Sequence, residues 1–504
     1  MRLKDIFAVG EFFPTEQKRH KKRIERYKEN QKLFKGKHYD VFERVHQRLT
    51  QSQRDTVYIT ANFPGLICKK SADFLFGETP TFSAGNGKDH SPEQETIERL
   101  VQENRLHIIN YESALGNAYR GDAFYKVRYS QHYDGFLDES IDPYRIIIEQ
   151  QKAEYVFPEP LPTNENLIFA YHIAYPVLFE RDGKDDWQLF VESHYPGLIR
   201  YRKLRMEPIT YNMDNKVKQW RIYAEIPPKE GEKREVTTGV PYPLIVHVPN
   251  YGTDESWEGI DDLSEHKAIF DEIDNRLSQI ANILDKHADP AMAIPIGSLE
   301  EDDDGQPLFR AGRDKIFEVD KDETFTPKYI TWDGQLMAAF KELETLLDFL
   351  LTTAELPPVA LGRDNSGTSH TSGAAVKFRM NSLLAKINRK RQYYAEGLAK
   401  VLYIAQLLEH AQSPGRLNYE PTIPKIQFKD GLPDDELEMA NLTSIRTGGK
   451  PTLSQKTALM RLDDMTEEQA EAELERIRRE EREEAPVDAS IFNAPKDGKE
   501  DDPE

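Results

Sequence analysis

The chain has 504 residues, which is enough for two or more structural units and a large core. It is 38% hydrophobic and 31% charged, and its formal net charge of -21 argues against a protein that coats nucleic acid over its whole surface. Its one cysteine, Cys68, excludes an internal disulfide framework and is typical of a reducing compartment. The first residues lack the order of a signal peptide, and no apolar stretch approaches about eighteen residues, so we expect a soluble, cytoplasmically made protein without membrane contact.

The chain opens with a basic segment, which we predict to be a helix over residues 17–39. Its first half is the most basic part and carries Lys18, Arg19, Lys21, Lys22, Arg23 and Arg26. A helix of this charge either presents a solvated face or touches phosphates, and the sequence leaves both interpretations open.

Two further helices are predicted before the strands begin. In residues 61–80, Pro64 suits a first helical turn, and Gly77 marks the exit. After a polar loop at 83–94, a single helix is predicted from about Glu95 to Arg120. Beyond Gly121, alternating apolar residues and Gly, Pro and Asp turns predict an antiparallel sheet over about 121–250, so the fold class is α+β.

Two long amphipathic helices follow the strand region. Asp262 and Glu265 form a capping box that starts the first, and Asp289-Pro290 stops it. Asp333 is the predicted N-cap of the second. Both carry apolar residues every three or four positions: Phe270, Ile273, Leu277, Ile280 and Leu284 in the first, and Leu336, Phe340, Leu343, Leu347 and Leu350 in the second. On the residues alone, an ordinary helical hairpin packed on a core explains this pattern.

A small strand unit with an acidic tip is predicted between these helices, at residues 291–330. The tip consists of Glu300, Glu301, Asp302, Asp303 and Asp304. The run resembles a calcium-binding loop for a few residues, but alignment on Gly305 places Ala311 where such a loop needs a bidentate glutamate. A solvated hairpin tip is the better explanation, and no metal site is predicted.

The last third of the chain is predicted to be mostly helical. A Gly/Ser/Thr loop at 359–373 precedes one long helix at 374–410, and KIQFKD is a short strand. Capping boxes that begin at Thr452 and Thr466 predict two more helices. The remaining charged tail is expected to be disordered.

The sequence lacks the motifs of the common catalytic sites. GNGKDH and GRDNSGTSH have the wrong spacing or lack the lysine of a P-loop, and HExxH and CxxC are absent. The hydroxyls and His370 of the Gly/Ser/Thr loop are not a nucleophilic set, because a mobile polar loop lacks the rigid support that such chemistry needs. We therefore expect no enzyme activity, no catalytic residues and no cofactor.

Four segments in a fixed order carry a family resemblance. They are NFPGLICKKSADFLFGETP, GNAYRGDAFYKVRY, VPNYGTDESWEGIDDLSEHKAIFDEIDNRLSQIANIL, and LPPVALG ahead of a glycine-containing loop and a long helix. Over residues 40–445 the chain resembles the portal proteins of tailed double-stranded-DNA bacteriophages.

The resemblance implies an α+β, portal-like ring subunit of nine segments. These are a basic N-terminal segment (1–39), an α+β wing (40–261), stem helix 1 (262–288), a strand-containing clip (289–332), stem helix 2 (333–356), a tunnel loop (357–373), a long helix and wing return (374–433), crown helices (434–484) and a disordered acidic tail (485–504).

The resemblance also implies a function and partners. The subunits would close a ring, dodecameric in the virion, at one capsid vertex, and double-stranded DNA would be packaged and ejected through its channel. Implied partners are terminase, scaffolding, major capsid and head-completion (adaptor) proteins. The protein would be in the virion, and in the host cytoplasm during assembly.

In such a ring an acidic channel wall would let DNA slide, because it repels phosphates. The tunnel-loop residues nearest DNA would be Arg363, Asp364, Asn365, Ser366, Gly367, Thr368, Ser369 and His370. The acids of the clip tip would bind the packaging motor and later the head-completion proteins, and the apolar residues of the two helices would pack the stem. Two alternatives remain: a DNA-packaging enzyme, or another self-assembling virion or scaffold protein.

Overall fold

The computed structural model describes residues 5–42, 58–85, 91–133, 135–181, 183–211, 217–288, 291–295, 316–319, 328–330, 336–363, 373–429, 436–462, 465 and 467–484. Helices and strands are mixed along the chain, which confirms the α+β class. The chain divides into two compact units, Met1–Gly367 with Arg379–Gly431, and Thr368–Phe378 with Leu432–Glu504.

Four helices precede the main strands: α1 (Lys18–Phe34), α2 (Phe63–Phe76), α3 (Pro92–Glu103) and α4 (Leu106–Arg120). Helix α2 begins as predicted, with Pro64 in the first turn and the Asn62 side chain accepting from the Gly65 amide at 2.9 Å. The single helix from Glu95 to Arg120 is wrong. Arg105 adopts a left-handed φ of 51°, and the Asn104 side chain accepts a hydrogen bond from the Ile148 amide at 2.7 Å. That tertiary contact breaks the helix.

A seven-stranded antiparallel sheet forms most of the strand region. Its order is β1-β9-β8-β7-β6-β5, with β10 also paired to β8. The strands are β1 (Phe12–Phe13), β5 (Val156–Leu161), β6 (Asn164–Arg181), β7 (Lys184–Tyr195), β8 (Leu198–Tyr211), β9 (Val217–Ile226) and β10 (Glu235–Thr237). One face buries Leu189, Leu204 and Ile222 beneath Phe7 and Phe13 of the N-terminal segment. The sequence patterns did not predict β1, β5, β8 or β10.

A second, three-stranded antiparallel sheet has the order β11-β3-β4. Its strands are β3 (Asp122–Ser130), β4 (Arg145–Gln151) and β11 (Ile245–Pro249). Phe124 of β3 and Ile245 of β11 share a core cluster with Tyr27 of α1 and Ile173 of β6. The basic N-terminal helix is therefore part of the core and is not a separate arm.

The two predicted amphipathic helices are α5 (Lys267–Ala288) and α6 (Leu336–Thr353), and they pack against each other as a helix pair. Between them lie β12 (Ala291–Pro295), β13 (Ile316–Val319) and β14 (Lys328–Ile330). Strand β12 pairs in parallel with β13 and antiparallel with β14. The acidic tip at 300–304 lies outside the described residues.

The predicted capping box at the start of the first amphipathic helix is wrong. A 3-10 turn at Ser264–His266 leads into α5. Asp261, before this turn, accepts hydrogen bonds from the amides of Leu263 at 3.0 Å and Ser264 at 2.6 Å. The Asp262 carboxylate is instead buried beside Lys386 and Lys390. The local pattern missed these partners because they are remote in sequence.

The long helix predicted at 374–410 is also wrong as a single element. It is two helices, α7 (Gly373–Arg379) and α8 (Asn381–Gln412), because Met380, with φ -87° and ψ 0°, leaves regular helical geometry. Strand β15 (Lys425–Gln427), predicted within KIQFKD, pairs with β2 (Thr81–Ser83).

The second unit contains three further helices: α9 (Glu436–Thr447), α10 (Gln455–Leu462) and α11 (Glu467–Glu484). Ser454, not the predicted Thr452, caps α10 by accepting from the Thr457 amide at 3.1 Å. Lys456 of α10 donates to Glu471 of α11 at 2.5 Å. Thr466 lies outside the described residues.

Candidate functional site

Helices α5 and α6 pack against each other, and their apolar stripes are expected to form the seam between them, called the apolar seam here. Among the ten residues predicted to pack there, the buried ones are Phe270, Ile273, Ile280 and Leu350, and the half-buried ones are Leu277, Leu343 and Leu347. Leu284 and Phe340 remain exposed by 47% and 42% in the single chain. The side chain of Leu336 lies outside the described part of the structure.

The opposite side of α6 is charged. Lys341, Glu344 and Asp348 follow one another at spacings of three and four residues, so they occupy one stripe, and all three are exposed. Lys341 pairs with Glu344 at 3.3 Å, so the stripe has one carboxylate in excess, and we call it the acidic stripe. Large apolar side chains are exposed on the same helix, Met337 by 81% and Phe349 by 60%. The exposed apolar side chains of this helix are not covered by its own chain. Exposed apolar surface of this kind is typical of a site where another molecule binds.

Buried charges hold the segment that leads into α5. Lys390 of α8 donates to Asp262 at 2.5 Å and to Ser71 of α2 at 2.5 Å, and Lys386 lies 3.5 Å from the same carboxylate. Burial by itself would raise the pKa of Asp262, but the charges of the two lysines outweigh it and lower the pKa to about 2. Burial lowers the pKa of Lys390 to about 8, although the Asp262 charge opposes that shift.

The C-terminus of α6, where the chain leaves the helix pair, closes with a Schellman motif. The Leu356 amide donates to the Leu351 carbonyl at 2.9 Å and the Glu355 amide to the Thr352 carbonyl at 3.2 Å. Glu355 takes the left-handed position, with φ 56°, where glycine is usual. Its carboxylate forms an ion pair with Arg389 of α8.

The arginines of the basic helix α1 bind groups of their own chain. Buried Arg23 donates to the carbonyls of Val156 at 2.8 Å and Ala153 at 3.3 Å. Arg19 donates to Glu258 at 3.1 Å and to Glu165 at 2.9 Å. Lys18, Lys21 and Lys22 of the same helix are exposed. The sequence could not reveal these partners, because they are more than a hundred residues away.

Asp122, at the start of β3, is a second buried anchor. It accepts hydrogen bonds from His247 at 2.7 Å, from the Gly259 amide at 2.8 Å and from Tyr27 of α1. Burial alone would raise the pKa of Asp122, but these donors reverse the effect and hold it below its ordinary value. The anchor joins α1, β11 and the loop before α5.

A cleft of about 760 Å³ lies between the N-terminal segment and the seven-stranded sheet. Several of its polar groups bind each other: Arg202 pairs with Asp5 at 2.8 Å, and His172 forms a hydrogen bond with Glu159 at 3.0 Å. Among the described residues, no group of three or more His, Cys, Asp or Glu could hold a metal ion. Within the same part of the chain, no helix is both long and apolar enough to cross a membrane.

Comparison with known proteins decides the family. The sequence profile described as "Phage portal protein, SPP1 Gp6-like" matches residues 15–487. The chain belongs to this family of phage portal proteins. The profile covers nearly the whole portal chain, including the helix pair, the C-terminal helices and the strands after β1.

Solved structures give weaker similarities. One is a chain of the "Virion of native gene transfer agent (GTA) particle", at 12% identity and a TM-score of 0.40, over 82% of this portal chain and 92% of that chain. Another is a chain of the "Neck of empty GTA particle computed with C6 symmetry", at 12% identity and a TM-score of 0.43, over 82% and 93%. TM-scores this low carry no argument, so the family match alone supports the assignment. No curated protein matches the chain.

Family membership gives the portal chain a portal function in a virion, as a homo-oligomeric ring. The family is structural and not catalytic. Of the predicted tunnel-loop residues, Arg363 is described. It is exposed, and its amide donates to the Pro358 carbonyl at 3.0 Å, directly after Gly362 with φ 70°. Residues 364–370 and the clip acids lie outside the described ranges.

Proposed function

We propose that this portal protein closes a ring whose channel is walled by the helix pair, so that double-stranded DNA passes along the acidic stripe of α6. The observation that carries the proposal is the combination on one helix of a net negative exposed stripe, Asp348 with the Lys341–Glu344 ion pair, and exposed aromatic side chains, Phe340 and Phe349. Neighbouring copies would cover the aromatic residues. The carboxylates would stay in the water-filled channel.

The acidic stripe would act by repulsion. Lysine-rich walls release condensed counterions from DNA and so hold it tightly, whereas carboxylates at the same positions keep the duplex hydrated and mobile. Arg363 and the seven residues after it would be the part of the wall nearest DNA, as a tunnel loop. In this assignment, 40–261 is the wing, 262–288 and 333–356 are the stem, 289–332 is the clip and 434–484 is the crown.

The finer assembly belongs to the same proposal. The ring would have twelve subunits and would assemble in the host cytoplasm with scaffolding and major capsid proteins. It would have no enzymatic activity of its own, and terminase and later the head-completion proteins would bind the clip. Replacement of Glu300, Glu301, Asp302, Asp303 and Asp304 by serine should weaken the binding of purified terminase or adaptor protein. Unchanged binding of both would remove the clip acids from the proposal.

Electron microscopy of the purified protein tests the ring directly. Negative-stain images should contain closed rings of twelve subunits, and light scattering should give the matching mass from a 58.3 kDa chain. A monomer at every concentration would contradict the ring, and open filaments would favour another self-assembling protein. ATP hydrolysis by the purified chain would favour the packaging enzyme.

A further inference from the structure

Three cations on one face of α8 contact both chain ends of the helix pair, which are the segment before α5 and the segment after α6. Lys386, Arg389 and Lys390 are spaced by three and four residues, which places them side by side on the helix surface. Asp262 lies five residues before α5 begins, and Ala354 and Glu355 directly follow α6. The two ends of the pair therefore meet at one turn of a third helix.

The contact with the α5 end is almost completely buried. The side chains of Asp262 and Lys390 are each 1% exposed, and that of Lys386 is 8% exposed. Asn250, after β11, donates to the same carboxylate at 3.1 Å. Two ammonium groups and one carboxylate thus share a site closed by α2, β11 and α8.

The contact with the α6 end uses the same helix turn. Lys386 donates to the Ala354 carbonyl at 3.1 Å, which is one of the acceptors that the end of α6 leaves free. Arg389 pairs with Glu355, which holds the left-handed residue of the Schellman motif. Of the three cations, Lys386 contacts both chain ends of the pair, because it also faces Asp262.

We propose that Lys386, Arg389 and Lys390 are positioning residues that hold both ends of the helix pair on α8, so that α5 and α6 move with α8 as one body. Well-packed apolar residues would stabilise such a site as well as a buried ion pair does, so stability alone does not require these charges. Several directed donors on one helix turn instead fix the position of two chain segments. The inference rests on the proposed function only where it calls the helix pair a channel wall.

The chain contains its own reporter of this cluster. Cys68 of α2 is the single cysteine of the sequence and is fully buried. Burial, followed by the charge of Asp262, raises the pKa of its thiol, which makes it unreactive in the closed site. Release of the ends from α8 would open a path to Cys68, so the rate of its labelling by a maleimide measures that opening.

The test uses the full-length protein and the double variant Asp262→Asn/Lys390→Met, which removes both charges of the closest ion pair. Lys386 loses its carboxylate partner in this variant and keeps its hydrogen bond to the Ala354 carbonyl. We expect Cys68 labelling to accelerate by about tenfold or more, which corresponds to an opening easier by about 1.4 kcal/mol. Hydrogen exchange should increase at the amides of Leu263 and Leu356 but not at that of Val191 in β7 of the seven-stranded sheet. The matched control Lys400→Met, an exposed lysine of the same helix, should leave both readouts unchanged.

A Cys68 labelling rate within about twofold of the wild-type rate would overturn the inference. Hydrogen exchange that rises equally at Val191 would also overturn it, because that result reports only a global loss of stability. If the double variant does not fold, Lys386→Met decides the matter. It should raise exchange at Leu356, and no change there would contradict the positioning role. A wild-type protein that forms no ring would refute the proposed channel but leave these local measurements valid.

Discussion

Arg276 of α5 donates a hydrogen bond to Glu342 of α6 over 2.6 Å, directly beside the apolar seam of the helix pair. The same guanidinium lies 3.3 Å from Glu272, one helical turn earlier. The side chains of Arg276 and Glu342 are 23% and 47% exposed, so water screens the charge pair. An ion pair this exposed orients the two helices but adds little stability, so we expect the buried apolar residues of the pair to supply most of it.

This division predicts unequal mutant effects. Glu342→Gln should change the free energy of unfolding by less than about 1 kcal/mol, because exposed ion pairs stabilise little. Leu350→Ala, at a fully buried position of the same helix, should cost about 2 to 5 kcal/mol. Urea denaturation of both variants measures the difference. A larger loss of stability from Glu342→Gln than from Leu350→Ala would mean that the apolar seam is not the main source of stability.

The left-handed conformation of Glu355 should make glycine more stabilising than alanine at this position, the reverse of their usual order in a helix. At φ 56° an alanine keeps the strain and loses the ion pair with Arg389, whereas glycine removes the strain. Glu355→Ala should therefore be less stable than Glu355→Gly by about 1 kcal/mol.

Thermal unfolding of the two Glu355 variants measures this difference. The control is the same pair of changes, to alanine and to glycine, at Glu396, an exposed residue inside α8. There glycine should be the less stable by about 1 kcal/mol, because the position is helical. The same order at both sites would show that the left-handed position does not govern Glu355.

Glu192 predicts a specific loss of stability in acid. It accepts hydrogen bonds from Lys126 at 2.7 Å and His194 at 2.9 Å. Burial alone would raise its pKa, but the His194 hydrogen bond and the Lys126 charge lower the pKa from 4.5 to about 2. Since the folded-state pKa lies below the unfolded one, the stabilisation is complete above pH 4.5 and is lost as the pH falls towards 2.

Denaturation of wild type and Glu192→Gln at several pH values measures this loss. The difference in unfolding free energy between them should shrink by about 3 kcal/mol at most as the pH falls through that window. Glu235→Gln, which removes an exposed partner of Arg200, is the matched control for the loss of a surface carboxylate. A constant difference for Glu192→Gln would contradict the assignment.

The exposed phenylalanines of α6 test the proposed contact between subunits. Phe340→Glu and Phe349→Glu should each lower the fraction of protein in rings, because a charge would be buried against the neighbouring copy. Thr345→Glu, at an exposed polar position of the same helix, should assemble normally. Mass photometry at matched concentrations gives the ring fraction. Equal assembly of all three variants would exclude α6 from the interface.

The tunnel-loop proposal predicts a defect that is confined to DNA. Deletion of residues 363–370 should leave ring assembly intact and reduce DNA packaging or retention, because the residues proposed to lie nearest the duplex are removed. Particle counts and the DNA content of purified particles measure the two effects separately. Normal packaging and retention in the deletion variant would refute the role of the loop.

Local sequence patterns predicted most helices and many strands, and their failures have a common cause. The period of apolar residues identified α5 and α6, since a helical period needs no knowledge of partners. The capping box at Asp262 satisfied the local rule, yet that carboxylate is bound by lysines more than a hundred residues away. Arg105 breaks a helix that the pattern continued, because the Asn104 side chain bonds a strand amide.

The sequence by itself determined the α+β class, the two amphipathic helices and the family resemblance, because periodicity and motif order are properties of neighbouring residues. Only the tertiary structure decided that α1 is anchored through buried Arg23, that Asp122 and Asp262 are buried anchors, and that both ends of the helix pair meet on α8. A buried charge requires a partner, but burial arises from the packing of distant segments. Residue spacing along the chain contains no record of that packing.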